Sequence, residues 1–369
     1  MIMAFESKKR RTLTLTLTHN CNLYCTYCYE KHDTAFMTYE QAIEIIEKEF
    51  TKEVEEGEIE LDFFGGEPFL EFETIQKVVD YVESNKWPIP YCFFATTNGT
   101  LVHGKIQKWL KKHPNFYCGL SFDGTPDMQD KNRSNSSRLV DLDFFKEQYP
   151  TQDIKMTISK ETLNTLYEGV AFLENKGFLV SCNLAYGIDW SDESNATALE
   201  RELLNLIDCY LDNPQLEPCR ILKSNIDKLA TYNDKTYKYC GTGTSMVAYD
   251  VDGKDYPCQL FMPISCGKEK ASKVIEITFY KHELPDNLIE NKCKNCVVKN
   301  VCPTCFGANY IEFGDIYHHS DSYCKLTKII MKARSYFRAK QWELGQVKLT
   351  ENEELIMLKS IAMIQEQLV

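Results

Sequence analysis

Residues 12–28, Thr12-Leu13-Thr14-Leu15-Thr16-Leu17-Thr18-His19-Asn20-Cys21-Asn22-Leu23-Tyr24-Cys25-Thr26-Tyr27-Cys28, decide how this chain is read. The strict alternation over 12–18 predicts a β-strand. The strand runs directly into a loop with three cysteines, spaced C-x3-C-x2-C. Three thiolates on one loop can hold a metal or a cluster with one position left open, and an open position is what chemistry at the bound centre requires. A structural zinc ion completed by His19 is the competing reading of the same loop.

At 369 residues the chain suits one large domain and a smaller one. Sixteen cysteines, with only a short basic segment ending Lys8-Lys9-Arg10-Arg11 before the first strand, argue against secretion and a disulfide framework. They point to a cytoplasmic chain whose clustered cysteines are metal ligands. No run approaches the roughly 18 to 20 apolar residues of a membrane span. The net charge of -12 argues against nucleic acid as a partner.

Outward from the cysteine loop, strands are predicted at 12–18, 58–64, 91–96, 116–122, 154–159 and 180–186. Amphipathic helices lie between them, such as 39–50 with Ala42, Ile45, Ile46 and Phe50 on one face, and 163–176 with Leu166, Val170 and Leu173. Six strands alternating with five helices imply an α/β fold of parallel strands with right-handed crossovers, a partial (β/α)6 barrel with its chemistry at the C-terminal strand ends. A helix is read at 196–211, and Pro214 and Pro218 mark a boundary. Short strands, turns and cysteines follow from about Tyr239, and two helices close the chain. The expected domains are a tail at 1–11, a barrel at 12–235, a cysteine-rich module at 236–325 and C-terminal helices at 326–369.

The cysteine spacing, with Tyr27 before the third cysteine, resembles the cluster loop of the radical SAM superfamily. The resemblance implies a 4Fe-4S cluster on Cys21, Cys25 and Cys28 with S-adenosylmethionine (SAM) chelating the fourth iron, and reductive cleavage of SAM to a 5'-deoxyadenosyl radical. Phe64-Gly65-Gly66-Glu67-Pro68 ends the second strand with two glycines that admit close backbone approach and a carboxylate able to accept from an ammonium group. It resembles the GGEP motif that binds the SAM amino group. Thr96-Thr97-Asn98-Gly99 and Ser121-Phe122-Asp123-Gly124 place small polar groups at two further strand ends. The resemblance implies that Asn98 and Ser121 lie near the SAM ribose or carboxylate and that Arg133 pairs with the carboxylate; ordinary turn residues are the competing reading.

Cys240, Gly253-x4-Cys258, Cys293-x2-Cys296-x5-Cys302-x2-Cys305 and Cys324 resemble the SPASM domain. The resemblance implies two auxiliary clusters, making three 4Fe-4S clusters in all. One is expected on Cys240, Cys258 and Cys305, with Cys266 or a substrate side chain completing it, and the other on Cys293, Cys296, Cys302 and Cys324. Two residues separate Cys302 from Cys305 where the family pattern has three. A zinc ribbon is the competing reading of the paired spacings. Cys92, Cys118, Cys182, Cys209 and Cys219 read as packing. The histidines His32, His103, His113, His282, His318 and His319 share no ligand spacing with a second motif; the His318-His319 pair near Cys324 is the one to test, with surface placement as the competing reading.

Radical SAM enzymes with this extension modify peptides and proteins. The expected activity is that of an oxidoreductase that crosslinks a ribosomally made precursor peptide through a thioether, carbon–carbon or ether bond. Formylglycine formation, peptide epimerisation, small-molecule radical chemistry and a non-catalytic cluster- or zinc-binding regulator are the alternatives. In sulfatase maturases an aspartate base follows the cysteine of the Gx4C motif; here it is Gln259, whose neutral amide takes no proton. The candidate catalytic positions are therefore Gln259 and Asp123, with Asp250 and Asp255 as other carboxylates. The implied partners are the precursor peptide, an electron donor such as flavodoxin or ferredoxin, and a separate leader-recognition protein, since only about twenty residues precede Cys21. Tyr24, Tyr27, Tyr29 and Phe36 are placed to stack on substrate or to pack the barrel mouth.

Overall fold

Each predicted strand forms, with its ends within two residues of the expected ones: β1 (Arg10–Thr18), β2 (Glu58–Gly65), β3 (Tyr91–Thr97), β4 (Phe116–Leu120), β5 (Ile154–Ile158) and β6 (Val180–Leu184). The computed structural model describes residues 10–52, 57–223, 226–232, 240–281 and 283–368. Positions 1–9 of the expected tail, the expected boundary at 235/236 and His282 lie outside them.

The chain divides into two units. The first contains the described residues up to Ser121 together with Arg133–Gln152 and Gly241–Phe279. Its sheet runs β4-β3-β2-β1-β7-β8, where β7 (Met246–Tyr249) and β8 (Asp255–Tyr256) form an antiparallel hairpin. The first four strands are parallel, and β7 lies parallel on the other side of β1 with Thr12 opposite Met246. The alternation in β1 suggests one buried face, but Thr14, Thr16 and Thr18 are as buried as Leu13, Leu15 and Leu17. Their hydroxyls donate to Asp62, Met262 and Ala35 O, so the polar face is satisfied inside the protein.

The helix Tyr39–Phe50 starts at a capping box between Thr38 and Gln41, and it buries Ala42, Ile45, Ile46 and Phe50 as its sequence pattern requires. Phe63, Phe93 and Phe116 stack across three neighbouring strands, with Phe63 and Phe116 centroids 5.7 Å apart. Glu49, fully buried, accepts from Arg11, Lys52 and the Tyr249 hydroxyl and so ties the helix to β7.

The second unit contains Phe122–Asn132, Asp153–Cys240 and Tyr280–Val369. Here β5 and β6 form a separate parallel pair. Ahead of β5 the chain turns at Gly124, φ +92°. One backbone bond, Phe122 N–H to Lys155 O at 3.0 Å, fixes this turn to β5. The helices Leu166–Asn175, Glu193–Asp212, Asp321–Glu343 and Glu351–Leu368 complete the unit. A small apolar cluster of Ile226, Leu229, Val298, Met331 and Ile364 seats the last two helices against the cysteine-rich segment.

Candidate functional site

The cysteine loop is fixed by backbone bonds to the turn after β2. Gly66 N–H donates to Thr18 O at 3.1 Å and Glu67 N–H to Asn20 O at 3.0 Å. Two glycines make this approach possible. A Cβ on Gly66 would lie 2.5 Å from Asn20 O and 2.8 Å from Cys21 Cβ, and Gly65, at φ +145°, would put one 2.3 Å from Thr18 O. The turn and the loop are thus one structure.

The Glu67 side chain does not face outward as an ammonium acceptor. It is 1% exposed, and its oxygens accept from Thr97 Oγ1 (2.8 Å), Asn98 N–H (2.8 Å) and Phe69 N–H (3.1 Å). Burial pushes its carboxyl up to about 7, against these hydrogen bonds and the Arg133 charge. The carboxylate anchors the ends of β2 and β3, and only the backbone of the turn is left to meet a ligand.

Asn98 continues the connection: its Nδ2 donates to Asn22 Oδ1 at 2.9 Å, and its Oδ1 accepts from Thr100 N–H and Oγ1. Arg133 is buried with its guanidinium 5.4 Å from the Tyr27 ring centroid, a cation–π contact. Just beyond it, Ser134 and Asn135 both sit at φ 55°, and Ser134 Oγ accepts from Tyr24 N–H at 2.8 Å. The structure thus gathers Cys21, Tyr27, Gly65, Gly66, Glu67, Pro68, Asn98 and Arg133 around one loop. Ser121 is buried at the end of β4, its N–H bonded to Thr97 O.

Burial, with the nearby Glu67, Cys25 and Cys28, pushes the Cys21 thiol up to about 12. Burial and neighbouring Glu30 and Cys25 push Cys28 up to about 11. Burial therefore favours the protonated thiols, and a metal bound there would displace their protons. Three cysteines on one short loop, none in a disulfide, suit an iron–sulfur cluster with an open iron.

The zinc reading loses its fourth ligand, because both His19 ring nitrogens face carboxylates: Nδ1 to Asp33 at 3.0 Å and Nε2 to Asp250 at 2.6 Å. Burial opposes the charge on His19, but Asp250 and Asp33 outweigh it and raise its pKa. The sequence reading passed over His32. Its Nδ1–H donates to His19 O at 3.1 Å, and its Nε2 lies 3.5 Å from Cys28 Sγ. The four-residue interval from Cys28 was the available signal.

Of the catalytic candidates, Asp123 is fully buried, and its oxygens accept from Thr157 N–H (2.8 Å) and Asn132 Nδ2 (3.1 Å). It braces the turn before β5 and is closed to a substrate. Asp250 is likewise taken up by His19 and by Val251 N–H. Gln259 is half-buried at the start of a short turn, and Asp255 is exposed. Around the loop, Tyr24 and Phe36 are exposed and Tyr29 is half-buried.

In the second unit, Cys293, Cys296, Cys302, Cys305 and Cys324 line one cavity of about 100 Å³, with Tyr186 and Tyr323 in its wall. Burial, with the nearby Cys324 and Cys296, raises Cys293 to about 11 and Cys302 to about 12. Burial raises Cys305 to about 11, with Cys240 nearby. These thiols fit a shared metal–sulfur centre. Cys258 and Cys266 belong to the first unit, where the Cys266 thiol donates to Phe261 O at 3.3 Å. The His318-His319 pair is held not by Cys324 but by Glu290, at 2.9 and 2.8 Å, with His319 Nδ1 3.7 Å from Cys293 Sγ. The packing cysteines Cys92, Cys118, Cys182 and Cys219 are buried and Cys209 is half-buried.

The chain resembles known proteins over most of its length. The family described as "4Fe-4S single cluster domain" matches residues 10–142. The chain is 25% identical over 354 residues to the radical SAM cyclopropyl synthase TigE of Paramaledivibacter caminithermalis, covering 87% of this chain and 73% of that one. It is 25% identical over 327 residues to a cysteine-type anaerobic sulfatase-maturating enzyme of Clostridium novyi, covering 78% and 84%. The solved structure of anSMEcpe with bound AdoMet and a Kp18Cys peptide superposes with a TM-score of 0.67 at 18% identity, covering 92% of this chain and 100% of that one.

Proposed function

We propose that this chain, a radical SAM enzyme with a cysteine-rich SPASM-like extension, modifies a ribosomally made precursor peptide, forming an intramolecular thioether, carbon–carbon or ether crosslink. The observation that carries the reading is the joining of the cysteine loop to the Gly65–Pro68 turn. This brings a thiolate set and a backbone able to receive an amino acid head group into one place. Cys21, Cys25 and Cys28 would hold the first 4Fe-4S cluster. With SAM bound, that cluster would supply the electron that splits the sulfonium into methionine and a 5'-deoxyadenosyl radical, which would abstract a substrate hydrogen.

The remaining roles belong to side chains of the chain itself. The backbone at Gly65 and Gly66 would receive the SAM ammonium while Glu67 keeps the turn in place from behind. Arg133, braced on Tyr27, would meet the SAM carboxylate, and Asn98 and Ser121 would border the nucleoside. Cys293, Cys296, Cys302 and Cys324 would hold one auxiliary cluster, and Cys240, Cys258 and Cys305 another. Three clusters would bring roughly twelve irons per chain.

Formylglycine formation is the second reading, supported by the likeness to sulfatase-maturating enzymes and weakened by Gln259, which has no basic group to offer. Anaerobic reconstitution followed by dithionite tests the shared chemistry, with 5'-deoxyadenosine as the product sought; intact clusters without SAM cleavage would overturn it. Co-expression with candidate precursor peptides then separates the outcomes. Loss of two mass units without an aldehyde marks a crosslink, an aldehyde that reacts with a hydrazine marks formylglycine, and deuterium uptake in water of that isotope without either change marks epimerisation.

A further inference from the structure

Two non-glycine residues have positive φ among those described, and they are consecutive: Ser134 and Asn135, both at φ 55°. For a residue with a Cβ this left-handed conformation is costly, and such strain persists where the surroundings over-determine it, often beside a functional site. A helix that needs only to stop commonly uses one glycine. The helix Pro126–Asn132 is instead followed, after Arg133, by a serine and an asparagine. Asparagine tolerates the conformation. Serine has no such ease, so its side chain is the feature to explain.

Ser134 Oγ accepts from Tyr24 N–H at 2.8 Å, and Tyr24 lies between Cys21 and Cys25. One residue before the serine, the buried Arg133 sets its guanidinium 5.4 Å from the ring centroid of Tyr27, which lies between Cys25 and Cys28. The same short segment thus meets the cysteine loop once in each of its two cysteine intervals. From the side of β3 the loop is held by Asn22, whose Nδ2 donates to Thr100 Oγ1 at 2.7 Å and whose Oδ1 accepts from Asn98 Nδ2 at 2.9 Å. The Tyr24 ring is 79% exposed, so the main-chain bond rather than side-chain packing fixes this part of the loop.

We propose that Ser134 is a positioning residue for SAM. Its hydroxyl, presented by the left-handed turn, ties Tyr24 to the segment that carries Arg133, so the loop of three thiols and the guanidinium keep one spacing. A SAM molecule bound by Arg133 at its carboxylate and by the open iron of the loop would need that spacing in place before it arrives. The inference rests on the reading of the chain as a radical SAM enzyme, and adds to it a residue that acts through Tyr24 and Arg133 rather than by contact with SAM.

The test uses the anaerobically reconstituted full chain and three readouts. These are hydrogen exchange at the Tyr24 amide, the Kd for SAM from the change it causes in the EPR spectrum of the reduced cluster, and the KM and kcat of dithionite-driven SAM cleavage. Ser134→Gly removes the hydroxyl while relieving the backbone, so iron content and melting temperature should stay at wild-type values. Tyr24 exchange should quicken about tenfold or more. The Kd and KM for SAM should rise about fivefold, the worth of one neutral hydrogen bond, with kcat within about twofold of wild type. Ser134→Ala, which keeps the Cβ and lacks the hydroxyl, should show the same changes in exchange and in SAM binding. Asn135→Gly relieves the turn without touching the hydroxyl and should leave Tyr24 exchange, Kd and KM unchanged.

The inference is overturned if the two Ser134 variants leave Tyr24 exchange or the SAM constants at wild-type values. It is overturned equally if Asn135→Gly raises those constants as much, which would assign the effect to the backbone of the turn. Intact clusters in the wild type without SAM binding would instead overturn the enzyme reading, while Tyr24 exchange would still report on the Ser134 bond, so the two failures are distinguishable.

Discussion

The two thiol sets are built in opposite ways. The first sits on the end of a central strand, with the turn after β2 bonded to its backbone and a buried carboxylate locking that turn to β3. The second is carried by short helical turns, coil and the start of one long helix, around a cavity that five cysteines line together with apolar and aromatic side chains. A site held by sheet and backbone bonds keeps its shape without its metal. A site whose ligands are also its core depends on the metal to fold.

The sharpest way to break this comparison is to remove the first ligand set. Alanine at Cys21, Cys25 and Cys28 together should abolish 5'-deoxyadenosine formation while lowering bound iron by only about a third, if all three clusters form; chromatography and iron assay read the two quantities. A fall in iron to near zero would mean that the sets are not independent. Next in size, stripping iron with a chelator should remove hydrogen-exchange protection from residues 290–324 while β1 to β4 stay protected. Equal loss in both regions would erase the distinction.

Gly66→Ala tests the joined turn and loop directly. A methyl group 2.5 Å from Asn20 O forces the two apart, and the KM for SAM should rise about tenfold or more, equivalent to roughly 1.4 kcal/mol of lost binding, with the auxiliary iron retained. Thr97→Val deprives Glu67 of one donor and should cost about 1–2 kcal/mol of stability, seen in thermal melts of the apoprotein.

A further effect concerns pH. The Glu67 pKa is raised in the folded chain, from an ordinary value of 4.5 to about 7. Its contribution to stability is therefore fully present below about 4.5 and is lost as pH rises through 7. In denaturant melts of apoprotein, Glu67→Gln should flatten the decline between those limits.

Alternation and helical periodicity made β1, β2 and the helix Tyr39–Phe50 legible, because one apolar face repeats over a whole element. The spacing of Cys21, Cys25 and Cys28 and of the later cysteines was legible for the same reason: local ligand geometry leaves a local pattern. What escaped was non-local. Met246–Tyr249 is too short to show a period, and nothing in it announces β1 as its neighbour. The occupation of Glu67 by Thr97 and Asn98, of His19 by Asp33 and Asp250, and of Asp123 by Asn132 and Thr157 each joins residues far apart in sequence. Carboxylates that looked free for chemistry proved to be braces.

The pairing of β1 with β7 also bears on how the chain is made. Thr12 emerges from the ribosome roughly 230 residues before its partner Met246, tens of seconds at bacterial or slower rates of synthesis. During that interval one side of the most buried strand is an open edge, a template for mispairing with another nascent chain. A truncation ending before Gly241 would make that temporary edge permanent, so expression of the barrel segment by itself should yield aggregates.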